Sequence, residues 1–169
     1  RIVIGVDPSG TTTGDEQGII VAGRGSDNQG YVLADRSCSL SPKGWATEVA
    51  KAYAEFHADR IVVEANFGGD MVKSTLHMVN PLMPVTMITS SRGKAIRAEP
   101  IAALYEQGRI IHVGPKPLLE GQLITWTQGD KRSPDRLDAL IFALQMLFPP
   151  LGGNTGIYGG EAKQSRWKE

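Results

Sequence analysis

The sequence predicts an α/β fold in which one mixed β-sheet is covered by helices on both faces. Near the N-terminus, three apolar runs are separated by short polar or glycine-rich loops, so the corresponding strands are expected to be antiparallel neighbours. Farther along, helical stripes alternate with short apolar runs, and a strand reached through a helical crossover is expected to be parallel to a sheet neighbour. The chain of 169 residues, 41% of them hydrophobic, is long enough for one domain with a core.

The first three predicted strands form the antiparallel part of the sheet. The first covers residues 2–6 and ends at Asp7, which precedes a chain-breaking Pro-Ser-Gly turn. Residues 17–22 and 31–37 are the predicted second and third strands, and the polar, glycine-rich segment between them is typical of a hairpin connection. The first strand therefore delivers a carboxylate to the edge of the sheet.

A helix and a fourth strand are predicted next. Ser41 before Pro42 is a typical helix start, because serine caps the helix and proline is favoured at the first helical position. Apolar residues then recur at helical spacing as far as Phe56. Residues 60–64 are the predicted fourth strand, and this apolar run again ends in an acid, Glu64.

The rest of the chain alternates short helices and strands. The predicted elements are a helix at 71–79, a strand at 85–88, a helix at 95–107, a strand at 109–113, a helix at 118–126 and a helix at 133–148. Gly108 is expected to end the second of these helices and Pro149 the last. Residues 151–169 are glycine-rich and then charged, which indicates a flexible C-terminal tail after a domain at 1–150. This order of elements is that of the ribonuclease H type of α/β fold.

Composition limits the classes of function. The 18 basic and 18 acidic residues balance, whereas an autonomous nucleic-acid binder usually carries a basic excess, because phosphate contacts supply most of its affinity. Tight unaided DNA binding is therefore not expected, although residues 91–116 hold a local basic excess. No apolar run is long enough for a membrane span, and no signal peptide opens the chain. Cys38 has no second cysteine to pair with, and Arg1 already lies in a strand, as expected for a domain cut from a longer chain.

Four acids stand at the ends of predicted elements. Asp7 and Glu64 close two apolar strands, and Asp135 and Asp138 open the last helix, three residues apart on one face. Mg²⁺ and Mn²⁺ prefer carboxylate oxygens, and a two-metal nuclease site holds its ions about 3.5–4 Å apart. We therefore expect Asp7, on a central strand, to bridge two ions that cut a phosphodiester, with Glu64 and Asp138 on either side.

Each acid also has an explanation that needs no metal. An aspartate before Pro-Ser-Gly often only forms a turn, and Asp135 in the first helical turn favours the helix dipole. Glu64 is harder to explain in this way, because an acid that closes an Ile-Val-Val run is costly if it is buried without a partner. Asp138 lies one turn further in, where capping no longer accounts for it. Asp138 is therefore the favoured third ligand, with Asp135 as the alternative or as a fourth.

Four segments resemble the C-terminal nuclease domain of the large terminase subunit, the DNA-packaging motor of tailed bacteriophages. They are Ile-Gly-Val-Asp-Pro at 4–8, the run at 63–72, the paired runs at 97–100 and 104–109, and Ser-Pro-Asp-Arg-Leu-Asp-Ala-Leu at 133–140. The first and last are shared with RuvC-like resolvases and mark the superfamily, whereas the middle two are more specific to terminases. The resemblance covers residues 1–148.

The resemblance implies a set of functional residues. The acidic triad of the family corresponds to Asp7, Glu64 and Asp138. Asp135 would be an accessory acid, and the implied cofactors are two divalent cations, Mg²⁺ or Mn²⁺. The basic segment that we assign to the DNA backbone corresponds to Arg92, Lys94 and Arg97.

The resemblance also implies a role and partners. A terminase nuclease cuts double-stranded DNA with little sequence preference, to start and to end the packaging of a viral genome. The implied partners are double-stranded DNA, the ATPase domain of the same full-length chain, the portal and the small terminase subunit. The implied location is the cytoplasm of an infected bacterium, without contact with a membrane.

Two rival functions remain open at this point. A RuvC-like Holliday-junction resolvase would use the same acids, but its usual histidine three residues before the last acid is Asp135 here. A non-catalytic DNA-binding or docking module of the same fold is the second rival, and the presence of all three acids argues against it.

Overall fold

The structure is a computed structural model that describes residues 1–8, 16–65, 68–88, 94–127, 134–149 and 157–158. The strands within these ranges are β1 (Ile2–Asp7), β2 (Gly18–Arg24), β3 (Gly30–Asp35), β4 (Arg60–Glu64), β5 (Val85–Ile88), β6 (Ile110–His112) and β7 (Ile157–Tyr158). The helices are α1 (Pro42–Glu55), α2 (Gly69–Val79), α3 (Lys94–Glu106), α4 (Pro117–Thr125) and α5 (Asp135–Leu147).

The strands form one mixed sheet in the order β6-β3-β2-β1-β4-β5-β7. β1, β2 and β3 pair antiparallel in succession. β4 is parallel to β1, β5 is parallel to β4, and β6 is parallel to β3 on the other side of the sheet. The predicted mixed sheet is confirmed, and β1, which ends at Asp7, is its central strand.

Helices cover both faces of the sheet, as predicted. On one face, Val3, Val62 and their neighbours pack against a core supplied by α3, α4 and α5. On the other face, Ile4, Val63 and their neighbours pack against α1 and α2. The division follows from the strand period of two, because successive side chains of β1 and β4 point to opposite faces.

Helix α5 lies directly on the sheet, because the strands beneath it carry glycine. A Cβ atom built on Gly5 of β1 would overlap the carbonyl oxygen of Ala139 in α5. A Cβ atom on Gly18 of β2 would overlap the carbonyl oxygen of Asp135. Main chain therefore touches main chain here, and side chains do not set the distance between helix and sheet.

The predicted helix ends are largely confirmed. The Ser41 hydroxyl accepts a hydrogen bond from the amide of Gly44 at the start of α1. Gly108 follows α3 with φ of 64°, the left-handed conformation that glycine adopts easily after a helix. Helix α2 begins two residues earlier than predicted, at Gly69, because Gly68 in the left-handed region turns the chain into it.

Two further features concern α3 and the predicted tail. Helix α3 contains Pro100, so it continues through a residue that gives its backbone no amide donor. Within the predicted tail, β7 pairs antiparallel with β5, with Ile157 opposite Ile88. The remainder of residues 150–169 lies outside the described part of the chain, so the domain boundary at residue 150 stays a prediction.

Candidate metal centre at the sheet edge

Asp7 and Glu64 end two neighbouring parallel strands at the centre of the sheet. The register of β1 and β4 pairs Val6 with Val63, so the acids that follow stand side by side at the same edge. The strand alternation puts Gly5 and Val62 on the face that α5 covers. Asp7 and Glu64, two residues further along each strand, share that face.

The first turn of α5 brings two more acids to this edge. Asp7 pairs in register with Gly18, and the main chain of Asp135 rests on Gly18. Asp138 lies in the same turn; its side chain is buried, and its amide donates to the carbonyl of Pro134 at 2.9 Å. The elements therefore assemble where the sequence predicts, whereas the metal-binding role of the four acids stays a prediction.

The chemistry of this donor set fits Mg²⁺ or Mn²⁺. The acids at the edge offer carboxylate oxygens, and both ions prefer hard oxygen ligands to thiolate or imidazole. In the arrangement seen here, however, no three acidic, histidine or cysteine side chains of the described residues are grouped closely enough to hold a metal ion. The fit therefore lies in the ligand type and in the shared edge, not in a closed coordination shell.

A basic residue contacts one of these acids. Arg97 of α3 donates from Nη1 to Glu64 Oε1 at 3.1 Å, and only 13% of the Arg97 side chain is exposed. The guanidinium also lies over the ring of Phe142 in α5, 5.6 Å from its centroid. Arg97, which the sequence assigns to the DNA backbone, is thus an ion-pair partner of a candidate metal ligand.

The structure describes the other residues that were predicted to contact DNA less fully. Arg92 lies outside the described residues, and Lys94 begins α3 with a side chain outside them as well. Lys116, part of the same basic segment, is buried and donates to the carbonyls of Val113 at 2.6 Å and Gly114 at 3.2 Å. The local basic excess at 91–116 is therefore not a simple exposed patch, and the DNA-binding roles stay predictions.

The roles of two side chains at the first turn of α5 were not predicted from the sequence. The side chain of Gln122 in α4 reaches the amide of Leu137, and Arg136 reaches two acids outside its own helix. The signal in the sequence was Arg136 itself, an arginine between acids and apolar residues on a helix that was expected to be buried and would therefore need ion-pair partners. Sequence spacing could not name the partners, which lie far away in the chain.

Comparison with protein families decides the affiliation of this chain. The model of the terminase RNase H-like domain family matches residues 4–147 of the 169 residues. The chain belongs to this family. The match includes β1, β4 and α5, the three elements that carry the acids of the candidate metal centre.

Solved structures agree on the fold of this terminase RNase H-like domain. The yeast mitochondrial Holliday junction resolvase matches with a TM-score of 0.53 and 11% identity, over 86% of this chain and 77% of the resolvase. RuvC of T. thermophilus in complex with a Holliday junction substrate matches with a TM-score of 0.50 and 16% identity, over 85% of this chain and 91% of RuvC. The predicted RNase H-like fold is therefore confirmed.

No curated protein sequence matches the terminase RNase H-like domain described here. Across the described ranges, every helix is too short or too polar to cross a membrane.

A polar network lies at the far edge of the terminase domain, between α3, β6 and α4. The Tyr105 hydroxyl is 2.8 Å from His112 Nε2, and His112 Nδ1 is 2.9 Å from Glu120 Oε1. Burial raises the pKa of Tyr105, whereas the hydrogen bond with His112 lowers the pKa of Glu120. Burial also lowers the pKa of Lys116, whose amide donates to Glu120 at 3.0 Å. The network ties three elements together and is separate in the sheet order from the acids of β1 and β4.

Proposed function

We propose that this chain is a metal-dependent endonuclease that cuts double-stranded DNA, as the nuclease domain of a terminase large subunit. The observation that carries the proposal is the meeting of Asp7 and Glu64, at the ends of adjacent parallel strands, with the first turn of α5. Membership in the terminase RNase H-like domain family supports the viral packaging role. The proposal gives the four acids one purpose, whereas separate turn and capping roles would not require a common edge.

In this proposal the acids act as ligands. Asp7, Glu64 and Asp138 would hold two divalent cations, Mg²⁺ or Mn²⁺, with Asp135 as a further oxygen donor. When bound, these ions would activate a water molecule and stabilise the leaving oxygen of the phosphodiester. Asp7 ends β1, which pairs with β4 and is covered by α5, and in this proposal its carboxylate would contribute to both ions. The contact of α5 with Gly5 and Gly18 keeps its two aspartates at a fixed height over the sheet.

The balanced charge of the chain fits a substrate that is delivered by other parts of a motor. The chain has 18 basic and 18 acidic residues, so it lacks the basic excess that an autonomous DNA binder uses to hold phosphates. We propose that the ATPase domain of the full-length chain, the portal and the small terminase subunit bring the DNA to this edge, in the cytoplasm of an infected bacterium.

A plasmid assay tests the proposed activity. Purified protein is incubated with supercoiled plasmid in Mn²⁺, in Mg²⁺ and in EDTA, beside Asp7→Asn, Glu64→Gln and Asp138→Asn. We expect nicked and linear DNA only with metal, and a loss of at least about a hundredfold in rate for each variant, because each removes a ligand charge. Asp70→Asn, on the exposed side of α2, is the matched control and should cut like the wild type.

The same assay separates the rival activities. A four-way junction and a linear duplex of equal length are offered in parallel. Cutting of the junction alone would replace the terminase role with a resolvase role, and no cutting of either substrate in any metal would overturn the proposed nuclease. Cutting that survives Asp138→Asn but not Asp135→Asn would transfer the third ligand to Asp135.

A further inference from the structure

The N-cap residue of α5 cannot cap the helix with its side chain. That residue is Pro134, which makes no side-chain hydrogen bond to the helix. The first amides of a helix have no partner within the helix, so an uncapped first turn tends to fray. In α5 this is the turn that carries Asp135 and Asp138, whose placement the proposed activity requires.

Contacts with other elements of the chain help to hold this turn. Gln122 Oε1 of α4 accepts a hydrogen bond from the amide of Leu137 at 3.1 Å. Arg136 Nε donates to Asp35 Oδ2 at 2.8 Å, and Arg136 Nη2 donates to Glu16 Oε1 at 2.6 Å. Arg136 Nη1 also forms an ion pair with Glu16. We call Arg136, Asp35 and Glu16 the α5 clamp.

The geometry of the α5 clamp restricts the position of the first turn of α5. Arg136 is buried, with 7% of its surface exposed, and a buried guanidinium is costly unless its donors are paired. Its three nitrogen atoms reach two carboxylates in a fork geometry that a lysine could not reproduce. Losing this fork would remove one anchor of the turn and leave two carboxylates without their guanidinium partner.

The clamp also connects to the strand on which α5 rests. Asp35 Oδ1 accepts a hydrogen bond from the amide of Ser37 at 3.0 Å, and the Ser37 hydroxyl accepts one from the amide of Ile19 at 3.0 Å. Ile19 follows Gly18, the residue under the main chain of Asp135. The path from Arg136 thus ends on β2 beside the point of contact between helix and sheet.

We propose that Arg136 is a positioning residue that fixes Asp135 and Asp138 against Asp7 by anchoring the first turn of α5 to Asp35 and Glu16. The inference rests on the proposed function, because it assumes that these acids bind divalent cations. It assigns Arg136 no contact with metal or DNA. Outer contacts that orient a ligand commonly change metal affinity 10- to 100-fold when they are removed.

A matched pair of variants on the two ends of α5 tests the inference. Arg136→Gln breaks the clamp at the first turn, and Arg24→Gln breaks the contact of Arg24 Nη1 with the carbonyl of Leu147, 2.9 Å away at the other end. Both variants loosen the same helix and should lower the melting temperature of the 169-residue chain. Arg136→Lys keeps the charge without the fork and gives a milder third variant.

The first readout is amide hydrogen exchange, measured by nuclear magnetic resonance without metal. In Arg136→Gln we expect the amides of Leu137 and Asp138 to exchange at least about tenfold faster, because the turn frays. In Arg24→Gln the faster exchange should appear at the opposite end of α5. Unchanged exchange of Leu137 and Asp138 in a folded Arg136→Gln protein would overturn the inference.

The second readout is the affinity for Mn²⁺ alone, measured by calorimetric titration without DNA. Arg136→Gln should bind Mn²⁺ about tenfold more weakly, Arg136→Lys should fall in between, and Arg24→Gln should bind like the wild type. Equal Mn²⁺ affinity of wild type and Arg136→Gln would overturn the inference and leave the proposed function standing. A wild type that binds no Mn²⁺ would overturn the proposed function, and the inference with it.

Discussion

Arg97 and Glu64 form an ion pair at the edge of the sheet, with Nη1 and Oε1 3.1 Å apart. The pair joins α3 to the end of β4, and the ring of Phe142 supports the guanidinium from α5. The chain itself thus places a cation on a carboxylate that we propose as a ligand for Mg²⁺ or Mn²⁺. In that proposal, a metal ion at Glu64 would compete with Arg97 for the Glu64 carboxylate.

We therefore expect Arg97→Gln to bind Mn²⁺ about three- to tenfold more tightly than the wild type. The ion would no longer displace a guanidinium. Exposed ion pairs are worth up to about 1 kcal/mol, and this pair lies between the exposed and the buried case. Calorimetric titration without DNA measures the change. Arg60→Gln, four residues earlier on β4 and bonded to the Thr86 hydroxyl, is the control and should not change the affinity. Weaker Mn²⁺ binding in Arg97→Gln would contradict the competition.

Replacing either glycine under α5 should strongly destabilise the protein. Gly5→Ala and Gly18→Ala each drive a Cβ atom into a main-chain carbonyl, which cannot rotate away as a side chain could. We expect a loss of about 3 kcal/mol or more in the free energy of unfolding, measured with urea. Gly121→Ala in α4 has open space around its Cβ and should instead stabilise the helix by about 0.5–1 kcal/mol. Wild-type stability of Gly5→Ala would contradict the direct contact.

The free energy of unfolding should decrease at acidic pH, in part because Glu120 in the network at β6 becomes protonated. The hydrogen bond with His112 lowers the pKa of Glu120 in the folded state, so its ionised form stabilises the fold. This contribution is present above the ordinary glutamate pKa of 4.5 and disappears as the pH falls through the lowered value. Glu120→Gln should therefore be less stable than the wild type at pH 6, and the difference should shrink at pH 3. Urea unfolding at both pH values tests the sign; a difference that grows at pH 3 would contradict it.

Phe148 should contribute more than its apolar surface at the end of α5. Two guanidinium groups lie over its ring, that of Arg24 at 4.7 Å and that of Arg109 at 5.3 Å from the centroid. Phe148→Leu keeps most of the apolar contact and loses both cation–π contacts, so we expect a loss of about 1–2 kcal/mol in unfolding free energy. Phe56→Leu, which loses one contact with Arg36 at 5.9 Å, should cost less. Equal costs for the two variants would argue against the double contact.

The sequence predicts the backbone of this site well, because local patterns determine it. The apolar run of β4 ends at Glu64, and that of β1 ends at Asp7, as the strand pattern indicates. A crossover helix makes these strands parallel, so their carboxyl ends must meet at one edge. The sequence therefore predicts that the four acids lie on elements that meet at one edge of the sheet. The preference of Mg²⁺ and Mn²⁺ for carboxylate oxygens then suggests the metal.

The contacts around the acids were not foreseeable in the same way. Arg97 meets Glu64 across 33 positions of sequence, and Arg136 meets Asp35 across 101. No helical or strand period relates such residues, because their distance depends on how α3 and α5 pack on the sheet. The pairing of β6 with β3 is of this kind too, since a lone short strand does not reveal its neighbour.

The bare contact of α5 with Gly5 and Gly18 makes the spacing of the acidic edge a property of the polypeptide itself. Most cores are adjustable, since enlarging or trimming a side chain moves a helix by a fraction of an ångström. No side chain of Gly5 or Gly18 separates α5 from the sheet, so substitutions among the surrounding apolar residues should change the distance between helix and strand very little. An engineer could vary this core widely for thermal tolerance and still leave the acidic edge at its original width.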